Sequence, residues 1–300
     1  MATAERSLDA REISSRPGFL AGCRRLVRPG LLAAVLLSMA AAAVATPGPV
    51  AWPRLMHALL GTALVIAGAS AVNQLLERRA DAQMARTASR PLPSGQWTTG
   101  SVTAWAMFLS VAGMVYLAVF LPPPVALLAG ASWILYVAVY TPLKRSTAWH
   151  IPVGALAGAM PVLLGAAVAG DIFAPAPLVL FGVVFFWQFP HTAAIGWLHR
   201  DQYARGGTRV AAVVDPTGRL SGRLAVLGAV GLVVAGVAST WLPATEWSYG
   251  LSAVILAFVP LALAIRFFKS PSDATARPLW RALLFYLPVA LALSALAARG

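Results

Sequence analysis

The residues of this chain best suited to chemistry are crowded into one stretch, Asn73-Gln-Leu-Leu-Glu77-Arg-Arg-Ala-Asp81-Ala-Gln-Met84-Ala-Arg86-Thr87-Ala-Ser-Arg90-Pro91-Leu92. It follows a long apolar run. It holds two of the chain's ten carboxylates, four arginines and the amide of Asn73. Glu77 and Asp81 are four apart and Asn73 lies one turn earlier, so on a helix the three share one face. Such a column of oxygen ligands suits Mg2+, which usually keeps phosphate oxygens in its shell. Arg86 and Arg90 then stand where an anion on that metal would be gripped. The competing explanation is a basic loop with helix-surface pairs, Glu77 with Arg78 or Asp81 with Arg86. That explains the arginines well, but not the carboxylates at the mouth of an apolar run.

Two further segments carry candidates. Tyr140-Thr-Pro-Leu-Lys144-Arg145-Ser-Thr147-Ala-Trp149-His150 offers Lys144 and Arg145 to a diphosphate and the ring of Tyr140 to a cation. The same residues would also serve as an interfacial belt of aromatic and basic anchors. In Trp187-Gln-Phe189-Pro190-His191, a histidine lies inside an apolar run, where ionisable groups usually face a cavity or a partner. A histidine bonded to a carbonyl freed by Pro190 is the plainer alternative. His191 and His199 are eight apart on one helix face, and Arg200, Asp201 and Tyr203 follow, with Asp201 a candidate second carboxylate for metal.

The elements that must position these groups are membrane helices. The 300 residues are 59% hydrophobic and 11% charged, with a mean hydropathy of +0.75, against roughly a quarter charged in soluble proteins. Apolar runs of bilayer length predict an all-α polytopic fold of nine spans, at about 29–46, 51–75, 98–120, 123–141, 151–170, 176–198, 222–242, 247–268 and 279–297. The net charge of +13 does not point to nucleic acid, because 21 of the 23 basic residues fall before the first span or on alternate connections. Arg54 and Arg299 are the other two. The positive-inside rule gives a cytoplasmic N terminus and an outer C terminus. The outer connections are short and proline-rich, whereas those at 76–97 and 199–221 are long and polar. Chemistry is therefore expected in a central cavity opening to the cytoplasmic side.

Residues 1–28 read as a polar cytoplasmic tail with a short surface helix, ahead of one transmembrane domain over 29–300. The single cysteine, Cys23, excludes intrachain disulfides and thiolate metal sites. The first apolar run lacks a cleavage signal. Small residues in the fifth span, from Gly154 to Gly165, suit close helix packing, and Pro161 among them is a candidate kink beside a cavity. Long polar loops after both the second and the sixth spans suggest two related four-helix halves.

These motifs resemble the UbiA superfamily of intramembrane prenyltransferases, most closely its protoheme IX farnesyltransferase branch. That branch reads Asn-x-x-x-Asp-x-x-x-Asp-x-x-Met-x-Arg-Thr-x-x-Arg-Pro-Leu in its first loop. Asn73, Asp81, Met84, Arg86, Thr87, Arg90, Pro91 and Leu92 match, with Glu77 in place of the first aspartate. Tyr140 to Thr147 resembles Tyr-Thr-x-x-Leu-Lys-Arg-x-Thr, one residue shorter, with His150 at the position of an asparagine. Trp187 to His191 resembles Trp-x-x-Pro-His. The departures lie in the third loop: Gln202 where an aspartate precedes the tyrosine, Val210-Ala211-Ala212 for Met-Leu-Pro, and Thr192-Ala193 for an aromatic pair.

The resemblance implies farnesyl diphosphate as donor, heme B as acceptor and Mg2+ as cofactor. Asn73, Glu77, Asp81 and Asp201 are then metal ligands. Arg86, Arg90, Lys144, Arg145 and Arg200 are diphosphate ligands, and Tyr140, His191 and Tyr203 are active-site groups. It also implies a bacterial inner membrane, with heme A synthase or a terminal oxidase as client. A related enzyme with an aromatic or chlorin acceptor is the second reading. A transporter is a third, disfavoured because the charges collect at one membrane face.

Overall fold

The computed structural model describes residues 19–242 and 247–298. Most of the polar tail, and Arg299 at the C terminus, lie outside the described residues. Among those described, helices are the only regular structure. They are α1 (Phe19–Val27), α2 (Pro29–Ala45), α3 (Trp52–Ala82), α4 (Thr99–Phe120), α5 (Pro123–Leu143), α6 (His150–Ala169), α7 (Pro175–Leu198), α8 (Arg200–Arg205), α9 (Ala211–Val214), α10 (Arg219–Ser239), α11 (Trp247–Lys269) and α12 (Asp273–Ala297). Eight of them are long and apolar enough to cross a membrane. The 17-residue α2 qualifies only with α1, from which it is bent by 50°. Side chains such as Phe108, Leu127, Phe285 and Leu296 point outward, as lipid-facing residues do in a multi-pass membrane protein.

Three local features aim the polar side chains. First, α3 has 31 residues, a length of about 46 Å against a hydrocarbon thickness of about 30 Å. Its last turns, with Glu77 and Asp81, therefore continue past the apolar run that a sequence reading ends near residue 75. Second, Pro142 has no N–H to donate back along α5, and the turn before it widens to a π-helix over Leu135–Tyr140. The Thr141 hydroxyl donates to the Tyr136 carbonyl at 2.8 Å, and the π turn stacks Tyr136 on Tyr140, 5.7 Å between centroids. Such turns favour functional sites. Third, α12 starts at Asp273, six residues before its apolar run, because Ser272 and Thr275 form a capping box.

The helices pack around two apolar cores. One joins α2 to α6 through residues such as Met39, Leu55, Val65, Leu117 and Leu164. The other joins α2, α6, α7 and α10 to α12 through Ala42, Val162, Leu180, Leu232, Phe267 and Leu283. Helices α2 and α6 belong to both. Gly165 of α6 lies against the α2 backbone at Met39, so the small residues of this span do pack helices closely. Pro161, four residues earlier, lines a large internal chamber. The surface helix α1 is tied down: the Gln74 amide donates to the carbonyls of Arg25 and Leu26, and Leu26 is fully buried. Residues 19–27, ahead of the first expected span, are thus packed against the bundle.

Candidate active site

A polar pocket of about 240 Å³ sits at the end of α3, lined by five basic residues, Arg28, Arg86, Arg90, Lys144 and Arg145, and by two acidic ones, Glu77 and Asp81. Asp81 is 1% exposed; its Oδ2 accepts from Arg90 at 2.6 Å, while its Oδ1 has no partner. The Thr87 hydroxyl donates to the Asp81 carbonyl at 2.9 Å, folding the loop so that Arg90 returns to the helix end. Lys144 reaches Glu77 Oε1 at 2.7 Å. These long-range pairs replace the local ones, Glu77 with Arg78 and Asp81 with Arg86, that sequence proximity allows. One turn earlier, the Asn73 amide donates to the Thr141 hydroxyl at 3.0 Å, leaving its buried Oδ1 without a partner.

The positive charge of this pocket is locked in. Burial by itself would lower the Lys144 pKa, but the Tyr140 and Tyr203 phenols and the Glu77 carboxylate raise it above the usual lysine range. Arg28 is raised despite burial by Tyr136, Glu77 and Asp81. Arg90 is lowered, by burial first and then by Arg28, and Asp81 only partly offsets this. Cations crowded enough to depress one another are a site prepared for an anion.

The pocket opens onto a chamber of about 630 Å³ inside the bundle, and Arg28, Arg86, Lys144 and Tyr203 line both. The chamber walls are largely apolar, including Leu31, Val35, Ile66, Trp133, Ile151 and Ile195, with Tyr136, Tyr140, His150, Gln188 and His191 among them. His191 stacks on Trp187 at 4.5 Å, and its buried Nδ1 has no partner, so Pro190 has not supplied it with a carbonyl. Gly154 leaves room for the ring of Tyr140, since a Cβ there would meet that ring at 2.6 Å. Loop 200–210 closes one side: Gln202 Oε1 accepts from the Arg86 backbone at 3.1 Å, and the Arg86 guanidinium reaches the Tyr203 hydroxyl at 3.4 Å.

Helices α3, α5 and α7 thus carry Asn73, Glu77, Asp81, Tyr140 and His191 to the two connected cavities, and the adjoining loops add Arg86, Arg90, Lys144, Arg145 and Tyr203. Two expected residues stay outside. Arg200 turns away to Asp273 at 2.8 Å and stacks on Trp197. Asp201 is exposed in the first turn of α8 and lines neither cavity. Among the described residues, no three His, Cys, Asp or Glu side chains cluster to hold a metal. Among the described residues, Glu77 and Asp81 are the only carboxylates that line either cavity. His199, at the end of α7, also lines neither cavity.

A model of the UbiA prenyltransferase family matches residues 34–289. The chain belongs to that family. The resemblance read from the three motifs is borne out, and the protein is a transferase. It is 37% identical over 278 residues to the protoheme IX farnesyltransferase of Rhodopirellula baltica, covering 89% of this chain and 96% of the relative. It is 32% identical to the human mitochondrial protoheme IX farnesyltransferase, over 94% of this chain and 62% of that one. The fold also matches a UbiA homolog from Archaeoglobus fulgidus solved with DMAPP and Mg2+, at a TM-score of 0.63 and 14% identity over 90% of this chain and 98% of that one.

Three residues of this prenyltransferase fold were not legible as site residues. Arg28, read as a topology signal, adopts a left-handed conformation (φ +54°) at the bend between α1 and α2, and its guanidinium donates to the Tyr136 hydroxyl at 3.3 Å. Tyr136 reaches the chamber through the π turn. Gln188 enters it opposite Gly158, with its amide on the Ala155 carbonyl at 3.1 Å. None of the three carried a local signal that separates it from an interfacial anchor or a lipid-facing residue.

Proposed function

We propose that this protein transfers the farnesyl group of farnesyl diphosphate to a vinyl group of heme B, giving heme O and diphosphate. One observation carries the reading: a cation-rich pocket that shares Arg28, Arg86, Lys144 and Tyr203 with a large apolar chamber. A prenyl diphosphate is such a molecule, with an anionic head and a long apolar tail. The names of the relatives supply the acceptor.

In this reading Arg28, Arg86, Arg90, Lys144 and Arg145 bind the diphosphate. The orphaned Oδ1 of Asp81, with Glu77 one turn away in the same pocket, fits a hard cation, and the Asn73, Glu77 and Asp81 column would hold Mg2+, which adds charge neutralisation of the leaving group. The C1–O bond breaks with its electron pair leaving on the diphosphate, where preplaced cations count most. The terminal vinyl carbon attacks C1. The cation formed beside the porphyrin ring takes up water, which loses a proton to give the hydroxyethylfarnesyl group. The Tyr136–Tyr140 stack offers π faces to the allylic cation. Apolar walls would keep water from C1, and His191, which lines the chamber with an unpartnered Nδ1, would accept the proton from the water that adds later.

Residues 29–300, with Arg28 just ahead of them, would form the catalytic unit in a bacterial inner membrane, with the site and N terminus cytoplasmic and the C terminus outside. The distribution of 21 of the 23 basic residues supports this orientation. Heme A synthase or a terminal oxidase would take the product. The test is incubation of the purified protein with heme B, farnesyl diphosphate and Mg2+ in 18O-labelled water. Heme O carrying the label is the expected product by mass spectrometry. Folded protein that yields no heme O contradicts the reading.

A further inference from the structure

Helix α7 brings a side-chain amide to the wall of the largely apolar chamber, far along the sequence from the donor residues. An amide among apolar walls costs free energy unless its groups are bonded. Gln188 meets that demand at one end only. Its Nε2 donates to the Ala155 carbonyl of α6 at 3.1 Å and to the Val184 carbonyl of α7 at 3.3 Å. Both partners are carbonyl oxygens, which only the N–H end of an amide can meet. Oε1 is therefore the free end, and no described residue donates to it. Gly158 makes the space for this arrangement, since a Cβ there would stand 2.5 Å from Nε2 and 2.6 Å from Oε1. His191 lies three residues further along α7, on the same helix face, and both side chains line the chamber. The Ser132 hydroxyl, also on the chamber wall, is already committed to the Ala157 carbonyl.

We propose that Gln188 holds the water that adds to the cation formed after farnesyl transfer, and so decides that the product is an alcohol. The proposal rests on the farnesyl-transfer reading above. A water with one hydrogen on Gln188 Oε1 and the other on His191 has both donors engaged and presents an oxygen lone pair to the cation. Two hydrogen bonds from Nε2 fix the plane of the amide, which fixes the direction from which that water is held. The vinyl carbon beside the porphyrin ring, once cationic, can be closed in two ways. Water adds through its oxygen and passes a proton to His191, giving the hydroxyethylfarnesyl group. Alternatively a proton leaves the carbon just joined to C1 and the electron pair of that C–H bond forms an alkene. The alkene is lighter by one water. A held water favours the first route, and an apolar wall at the same place favours the second.

The test is the ratio of alkene to alcohol, read by mass spectrometry after incubating the full chain with heme B, farnesyl diphosphate and Mg2+ in 18O-labelled water. Gln188→Met keeps a side chain of similar length and removes the amide. Gly158→Ala keeps the glutamine and pushes its amide aside. In Gln188→Met the ratio should rise about tenfold, the effect of one hydrogen bond lost from a transition state. In Gly158→Ala it should rise in the same direction by less. A merely structural role for Gln188, joining α7 to α6, would lower the melting temperature and leave the ratio as in the wild type. That unchanged ratio in Gln188→Met would overturn the proposal and leave farnesyl transfer intact. Loss of all product from both variants, with the wild type active, would place Gln188 ahead of water addition and overturn it too. Folded wild type that joins no farnesyl group to heme would overturn both the proposal and the reading beneath it. If Gln188→Met does not elute as folded protein, Gly158→Ala decides by the same ratio.

Discussion

The two long polar loops occupy matching places, one after α3 and one after α7, but they use charge differently. In the first, Asp81 is buried and Glu77 partly buried at the pocket, and they are held by Arg90 and Lys144 respectively. In the second, Arg200 and Asp273 form a pair 35% and 49% exposed, and Asp215 receives bonds that start α10. The difference teaches that a carboxylate near a helix end is informative when the fold buries it with an oxygen to spare. Asp81 has such an oxygen, whereas Asp215 has both of its oxygens in use. In the proposed function the first loop does the donor chemistry, and the second braces it through Gln202 and Tyr203 on Arg86.

The contrast can be broken by mutating each side. Asp81→Asn should lower the rate of heme O formation at least about 10³-fold, comparable with loss of a main electrostatic group in an active site. A loss under tenfold would mean the first loop is not the metal site. Lys144→Met should cost about 10²-fold and also destabilise the protein, because it leaves Glu77 partly buried without its partner. Adding Glu77→Gln should restore the melting temperature but not turnover, which separates packing from chemistry. In the second loop, Asp215→Ala should lower stability by only about 1 kcal/mol, as loss of a helix cap does, with kcat unchanged in a steady-state assay. Arg200→Ala should change both by least, since exposed pairs contribute about 0–1 kcal/mol. A tenfold loss of activity there would erase the contrast.

Alkaline titration sharpens the same point. The folded-state pKa of Lys144 is raised, so its pair with Glu77 adds stability that is complete below the unfolded lysine value of about 10.4. That stability is lost only as pH climbs through the higher folded value. Thermal stability of the wild type should therefore decline above about pH 10 more steeply than that of Lys144→Met, as melting curves across that range would record.

Much of this was legible in the sequence. Hydropathy located the spans because lipid-facing side chains must be apolar over a full bilayer thickness. The i, i+4, i+8 spacing of Asn73, Glu77 and Asp81 fixed their common face before any partner was known. What could not be read was which cations would meet them. Lys144 lies 67 residues from Glu77, and Arg90 reaches Asp81 only because Thr87 turns the loop. Arg28 was counted with the topology charges, since nothing local tells an interfacial arginine from one bent inward at a helix break. That Asp201 is exposed and lines neither cavity was not legible either, because one-dimensional spacing does not say which way a six-residue helix such as α8 presents its first turn.

The central claim is a heme acceptor beside a farnesyl donor, and a competition between acceptors tests it most directly. Purified protein would be given farnesyl diphosphate and Mg2+ with equal amounts of heme B and 4-hydroxybenzoate, and both products quantified by mass spectrometry. Heme O should form and the benzoate should stay unprenylated. Prenylated benzoate without heme O would contradict the account and point to an aromatic acceptor.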